Sequence, residues 1–512
     1  MTQENRIQKI VIVGGGTAGW MAASMLAKTL EGNSTGDKAD RIDITLIESD
    51  EIPIIGVGEA TIPPIQLFND YLGLDEDEFL RQTQGSFKLG IQFNNWGRLG
   101  DKYMHAFGTT GRPLGGVDFH HYWLKAGMEG GTSDLWDYSF NDKVARANKF
   151  SRMAKIKDSP LEGLTYAFHF DATLYAKYLR SYSERLGVNR IEGKVITASL
   201  RGEDGFISHL TMENGTEITG DFFIDCTGFR SLLIEETLKT GYVDWSGFLP
   251  CNRAIAVPTA SVGDIQPYTR STALSAGWQW HIPLQHRTGN GHVFCSDYIS
   301  EDEATAMLLD NLEGETLADP RVVHFNTGRR RKFWNKNCVV LGLASGFMEP
   351  LESTSIHLFQ SGITRLIKMF PDKSCSRADA DEYNRQAISE FESIRDFIIF
   401  HYHATERTDT PFWRDCAGMD IPDSLTERLE LFRTNGRIFR KGDELFSENS
   451  WLQVMIGQGI RPAGYHPLAD QVASPDVREY LENIDRIQNR ALSELPLQKD
   501  FIARNCSAAI QL

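Results

Sequence analysis

From Lys9 the chain reads KIVIV, an unbroken apolar run that meets a cluster of glycines and continues as AGWMAASMLAKTL, apolar at helical spacing. The pattern predicts a buried strand over 9–13, a glycine turn and a helix. A second apolar run, DITLIES, predicts a strand that ends in Glu48, and DATLYAKYLRSYSERLG (171–187) predicts another helix. Short strands separated by glycine turns follow, closing on the apolar run FFID and a tight CTG turn. A further strand is predicted over 338–343. In GWQWHIP (277–283) the period is two, so Trp278, Trp280 and Ile282 share one side of a strand and Pro283 ends its pairing. That face is a wall. From about residue 465 a proline-broken linker leads to an amphipathic helix, which packs either on the body or at a homodimer interface. Internal repeats and low-complexity tracts are absent.

Composition narrows the setting. With 512 residues the chain is long enough for two or more cores, which flavin- and nucleotide-type folds of this size often interleave. Its 53 basic and 69 acidic residues give a net charge of −16, which argues against nucleic acid or an anionic membrane as partner. No apolar run approaches the ~20 residues of a membrane span, and the first residues lack a signal-peptide pattern. Seven scattered cysteines without CxxC spacing fit a reducing cytoplasm and give neither a disulfide framework nor a zinc site. His120, His121, His401 and His403 read as packing or hydrogen-bonding histidines, so no metal is expected. The basic run GRRRKFW (328–334) reads as a solvated turn, or as a contact for flavin phosphate or a reductase.

Gly14, Gly16 and Gly19 fit GxGxxG between a strand and a helix. The first permits the turn, the second lets a pyrophosphate approach the backbone, and the third allows close helix–strand packing. Glu48, after the next strand, is placed to accept hydrogen bonds from a ribose, and EGNSTGDKADR ahead of that strand reads as a loop insertion. The order of the later segments resembles the FAD-binding layout of aromatic-hydroxylase-type flavoproteins. The resemblance implies an α/β fold: a Rossmann-type FAD module interleaved with a substrate-binding module, and a mostly helical C-terminal part. It puts Val195 near the adenine, DCTGFRS near the ribityl chain and NCVVLGLASGFMEPLESTSI as a third flavin segment. With no second GxGxxG there is no dedicated nicotinamide fold, and reduced flavin comes from elsewhere.

Five further stretches, GGGTAGWMAAS (14–24), IGVGEATIPPIQ (55–66) with GSFKLGIQFNNW (85–96), GWQWHIP, MEPLESTSIHL (348–358) and DTPFW (409–413), resemble the flavin-dependent tryptophan halogenase family. The resemblance implies a two-component, FADH2-dependent enzyme that uses O2 and chloride or bromide to make hypohalous acid at the flavin and then halogenates an electron-rich aromatic. Lys88 matches the lysine that meets the oxidised halogen, by hydrogen-bonding it or by forming a haloamine. Glu352 matches the glutamate that holds the reagent or takes the proton lost by the ring. Thr354 and Ser355 match the backbone halide site. Tryptophan-specific members read Glu-Ser-Thr-Gly there, whereas this chain reads Glu-Ser-Thr-Ser, which leaves halide preference open. The flavin contacts fall on Gly14, Gly15, Gly16, Thr17, Ala18, Gly19, Glu48, Ser49, Ala60, Val195, Leu343 and Ile356. Trp278 and Trp280 match the barrier that keeps organic substrate from the flavin, and His105 and Phe107 match positions that sandwich an indole.

Before VMIGQGIRP the family's tryptophan-specific members carry a longer, aromatic-rich stretch. Here GRIFRKGDELFSENSWLQ is short, so a more open pocket is expected, for an indole or another aromatic rather than free tryptophan. By this resemblance residues 1–84, 171–235 and 331–370 bind FAD and halide, 85–170 and 236–330 form the substrate module, and 371–512 a helical substrate-side region. The partners implied are a small aromatic and a separate NAD(P)H-dependent flavin reductase. An aromatic hydroxylase on the same fold would need neither halide nor Lys88, and a non-catalytic flavin-binding protein is the other alternative.

Overall fold

The computed structural model describes residues 5–31, 42–52 and 58–509. The loop insertion expected ahead of the second strand, and residues 55–57 of the IGVGEATIPPIQ stretch, lie outside them. The chain forms two units, one from Met1–Thr83, Phe170–Pro250 and His324–Glu392, the other from Gln84–His169, Cys251–Val323 and Ser393–Leu512.

The first unit is built on a six-stranded sheet in the order Trp334–Asn335, Cys338–Val340, Phe222–Asp225, Lys9–Val13, Asp43–Glu48, Asn189–Glu192. All pairs are parallel except the first, at the edge. Parallel strands are covered on both faces and so read as continuous apolar runs, which is why KIVIV and FFID carry no alternation. The side chains of Val11 and Val13 lie in one core with Val195, Ile207, Leu210 and Met212 of a small antiparallel sheet. The helices Thr17–Glu31, Ala172–Arg185 and Ser355–Lys368 belong to the same unit.

Two expectations change. The strand predicted over 338–343 stops at Val340: Leu341 donates its N–H to Asp225 O, and Gly342 then turns at φ +71° into a short 3-10 segment. The GRRRKFW run is not a solvated turn. Gly328–Arg330 is a strand that pairs with Tyr242–Asp244, buried Arg329 meets Glu392 at 2.6 Å, and Arg330 meets Glu235 at 2.8 Å. These pairings, with Asn384 Oδ1 accepting from the N–H groups of Phe333 and Trp334, place residues 236–250, 324–330 and 371–392 in the first unit rather than on the substrate side.

The second unit carries a seven-stranded sheet in the order Arg321–His324, Arg253–Thr259, Thr288–Phe294, Gly277–Pro283, Thr269–Ala273, Gly90–Asn94, Lys102–Ala106. Directly paired residues share a face, so the registers place Trp280, Ser271, Phe93 and Tyr103 on one side. Gln279, Thr272, Arg270 and Asn94 lie on the other. One side is aromatic, the other polar. The tail folds as the helices Ser474–Glu494 and Gln498–Asn505 within this unit. Among the described residues no helix is long and apolar enough to cross a membrane.

Helix Ser355–Lys368 is fastened by one carboxylate. Glu390 receives Arg365 at 2.7 Å, Ser361 Oγ at 2.8 Å and His357 Nε2 at 3.0 Å. Burial pushes the Glu390 carboxyl up, but hydrogen bonds and charge from His357 and Arg365 outweigh it and hold the pKa at about 2. A carboxylate held below its unfolded value of 4.5 contributes stability that is complete above pH 4.5 and is lost as pH falls through that window toward 2. Glu390→Gln is therefore expected to cost about 3 kcal/mol at neutral pH and to flatten the acid limb of the stability curve, measured by urea denaturation across that range.

Candidate active site

The three GxGxxG glycines of the turn differ in the room around them. Gly14 stands at φ +107°, and a Cβ there would lie 2.2 Å from Cys226 O. A Cβ on Gly19 would lie 1.9 Å from Gly14 O, the close helix–strand packing that the third glycine permits. A Cβ on Gly16 would meet nothing within 4 Å, which is the open space a pyrophosphate needs beside the helix N-terminus. Thr17 and Ala18 open that helix, buried. The Glu48 carboxylate folds back over the turn, so that a Cβ on Gly15 would stand 1.5 Å from Glu48 Oε2. It is anchored by Arg190 at 2.6 Å and by Trp20 Nε1 at 3.2 Å. A carboxylate has lone pairs to spare, so these bonds orient Glu48 and leave room for ribose hydroxyls. Ser49 follows the strand half-buried, and Ala60 is buried in the short strand Gly58–Ala60.

The later segments expected to bind flavin converge on this turn. Arg230, in GFRS, donates to Val195 O at 3.2 Å and Ile196 O at 3.1 Å, tying the CTG turn to the strand expected near the adenine. A Cβ on Gly342 would lie 2.8 Å from the Ala18 Cβ, so the third segment, with half-buried Leu343, abuts the first helix. Arg330 joins the second and third segments through Ser231 Oγ (2.7 Å) and Ala344 O (3.1 Å). Later in the third segment, buried Glu352 ends a 3-10 turn, Ser353 adopts the left-handed conformation at φ 59°, and Thr354 precedes helix Ser355–Lys368, whose N-terminus has no side-chain cap. A left-handed serine is strained. It redirects the chain between the carboxylate and backbone N–H groups that can hold an anion. Buried Ile356 lies in the first turn of that helix.

In the second unit Lys88 is fully buried in the strand Ser86–Lys88, with Nζ 5.4 Å from the centroid of Phe107. That is cation–π range, and the aromatic face offsets part of the cost of burying an ammonium. His105 lies on the aromatic side of the large sheet. Two strands lie between it and the strand of Trp280, three interstrand spacings or about 14 Å across the sheet. The Trp280 indole fills the place of a side chain on the neighbouring strand: a Cβ on Gly291 would stand 2.1 Å from its ring. Trp278 packs at a tilt of 51° against Trp96, centroids 6.4 Å apart.

Sequence reasoning missed three residues here. Phe446, from the short segment before the last family motif, stacks on Phe397 at 3.8 Å, and both rings neighbour His105, at 6.2 and 5.7 Å. Gln453 pairs in both directions with the backbone of Ala106, holding the chain between His105 and Phe107. Phe446 was visible only as an apolar residue in a polar loop; Phe397 and Gln453 left no local signal. The loop is braced by a bidentate Arg428–Glu444 pair at 2.8–2.9 Å.

Contrary to the sequence reading, a carboxylate accompanies His120 and His121: their ligand atoms and that of Asp118 lie within 4.8 Å. His121 Nδ1 accepts the His466 N–H at 3.2 Å, so its neutral ring carries the proton on Nε2, and burial with His120, His466 and Arg437 holds its pKa at about 3. His120 Nε2 donates to Gly436 O at 2.7 Å.

The glycine geometry separates folding from binding. Gly16→Ala should fold with an unchanged melting temperature and weaken FAD binding at least tenfold, whereas Gly14→Ala should lower the melting temperature itself. Thermal denaturation and FAD fluorescence titration measure the two effects.

Residues 9–474 match the family model described as tryptophan halogenase. The tryptophan 7-halogenase RebH of Lentzea aerocolonigenes is 34% identical over 97% of this chain and 98% of its own. Tryptophan 6-halogenase ThaL of Streptomyces albogriseolus is 37% identical over 84% of this chain and 82% of its own. Among solved structures, a flavin-dependent halogenase from Xanthomonas campestris superposes with a TM-score of 0.94 at 48% identity, covering 98% of this chain and 99% of that one. BrvH, a flavin-dependent halogenase from Brevundimonas sp. BAL3, gives 0.93 at 42% over the same shares. With the glycine cradle, the three flavin segments and the buried lysine already in place, the chain belongs to the tryptophan halogenase family of flavin-dependent enzymes.

Proposed function

We propose that the chain is an FADH2-dependent halogenase that turns chloride or bromide into hypohalous acid and delivers the halogen through Lys88 to an indole or another electron-rich aromatic. The observation that carries the reading is the complete burial of Lys88 against Phe107. Burying an ammonium is costly, and such groups mark sites of chemistry.

Bound reduced flavin supplies the electrons with which O2 oxidises halide. Gly14 to Gly19 cradle its pyrophosphate, Glu48 receives a ribose, and Ser49, Ala60, Val195, Leu343 and Ile356 line the remaining contacts. The backbone N–H groups at Thr354 and Ser355 hold the halide. Trp278 and Trp280 keep the organic substrate from the flavin side. Lys88 donates a hydrogen bond to the reagent or carries its halogen, which sharpens its electrophilicity. Glu352 takes the proton the ring releases, so that aromatic C–H and hypohalous acid become C–halogen and water. His105 and Phe107 stack on the substrate, and Phe446 with Phe397 backs that position. A separate NAD(P)H-dependent reductase in the cytoplasm supplies the reduced flavin. The segment that carries Phe446 is shorter than in tryptophan-specific members, which supports an indole-like substrate over free tryptophan.

With FAD, a flavin reductase, NADH, O2 and indole, mass spectrometry should detect a halogenated product only when bromide or chloride is present. Lys88→Ala should lower its yield at least a hundredfold. Hydroxylated indole without halide would replace this reading by that of a monooxygenase. Phe446→Ala should raise KM for indole about threefold to tenfold, the worth of one aromatic contact, with hypohalous acid formation unchanged.

A further inference from the structure

A histidine outside the catalytic set stands behind Lys88. The strand Ser86–Lys88 is only three residues long and pairs antiparallel with Ala167, Phe168 and His169. So short a ladder specifies register weakly. Its two faces are secured by different means. Phe87 stacks on Phe150 at 3.8 Å and meets Phe168 and Phe501, an apolar clamp. Ser86 and Lys88 lie on the opposite face, directly across from His169 and Ala167.

On that face the hydrogen bonds form one directed chain. Ser86 Oγ lies 2.7 Å from Pro283 O, which can only accept, so the serine proton is committed there. His169 Nδ1, 3.1 Å from the same Oγ, must therefore donate. His169 Nε2 then accepts from Thr269 Oγ1, at 2.9 Å. Every polar atom in the chain is satisfied by the neutral ring protonated on Nδ1. Burial, with the charges of Lys88 and His281, holds the His169 pKa well below its ordinary value and keeps the ring neutral. His169 is completely buried. The chain ends on two strands of the large sheet. Pro283 closes the strand that bears Trp278 and Trp280, and Thr269 opens its neighbour.

We propose that His169 is a positioning residue for Lys88: through Ser86 it locks the lysine's short strand to the end of the tryptophan strand and so fixes the ammonium over Phe107. The inference rests on the halogenase reading above, in which Lys88 holds the oxidised halogen. Removing the imidazole takes the Nδ1–H donor from Ser86 Oγ and the acceptor from the Thr269 hydroxyl, and leaves the strand held by Ser86 on Pro283 O, Gln285 on Gln84 O and Gly85 O, and Leu89 on Pro267 O, with a looser fit on the lysine's face. A shift of a fraction of an ångström separates reagent from acceptor without touching the flavin unit.

The test measures coupling in the holoenzyme with bromide, reductase, indole and an excess β-diketone that captures hypobromous acid. The diketone reports reagent that has escaped, and brominated indole reports reagent the protein has held. His169→Phe is expected to keep FAD binding and total oxidant within twofold of wild type while brominated indole per oxidant falls at least tenfold. His169→Asn, whose amide N–H can replace the Nδ1 donor, should recover most of that ratio. Ser86→Ala, which removes a single hydroxyl, should lower it about threefold and serves should His169→Phe fail to fold. A coupling ratio unchanged in all folded variants, or one that falls only in proportion to total oxidant and melting temperature, would overturn the positioning role alone. A wild-type protein that yields neither trapped reagent nor brominated indole would overturn the halogenase reading instead, and the inference with it.

Discussion

Asp225 is a fully buried carboxylate at the end of a central parallel strand, and among the described residues no cation pairs with it. Its charge is balanced by donors: Thr227 N–H at 3.0 Å, Thr227 Oγ1 at 2.6 Å, and the N–H groups of Leu233 and Ile234, both at 2.8 Å. Burying an unpaired carboxylate is expensive, but hydrogen bonds to an anion are strong, and the positive end of a helical turn is where an anion is best held. The Thr227 hydroxyl in turn accepts the Leu232 N–H. Strand, CTG turn and helical turn are thereby one rigid object. Cys226 N–H bonds to Val13 O, and its carbonyl is held where Gly14 has no room for a side chain. Leu341 bonds to Asp225 O before the third segment turns away. The carboxylate fixes the CTG turn, and main-chain bonds at Cys226 and Asp225 O bring the other two segments expected to bind flavin to the same strand end.

Much of the first unit could be read from the chain because its chemistry is local. A strand, a glycine turn and a helix lie within twenty residues, and the turn's requirements fall on the glycines themselves. Glu48 was legible as the acid that ends the second strand. Its ties to Arg190 and Trp20 were not, because they depend on sheet register and on how the first helix sits over the turn. The basic run at 328–334 misled for the same reason. Its partners Glu235 and Glu392 lie 95 and 63 residues away, and nothing in a run of arginines tells a solvated turn from a buried strand whose acids arrive from elsewhere. Phe446 and Gln453 are further cases: one aromatic in a polar loop and one amide in an apolar helix acquire meaning only when the fold brings them to residues 105–107.

The tryptophan strand shows how a period-two pattern becomes a surface. Trp278 stands between Ala273 and Val293, and Trp280 between Ser271 and Gly291, so small neighbours leave each indole room to lie across the sheet. The Trp280 Nε1–H is buried and has no hydrogen-bond partner among the described residues. Its position is therefore set by shape, by the absent side chain of Gly291 above all, rather than by a directional bond. Pro283 can give the next ladder position no N–H, yet its carbonyl remains free to accept from Ser86. The residue that stops the strand thus also helps fasten it, and a barrier held by packing is joined to the segment that carries the buried lysine by this bond and by those of Gln285 to Gln84 O and Gly85 O.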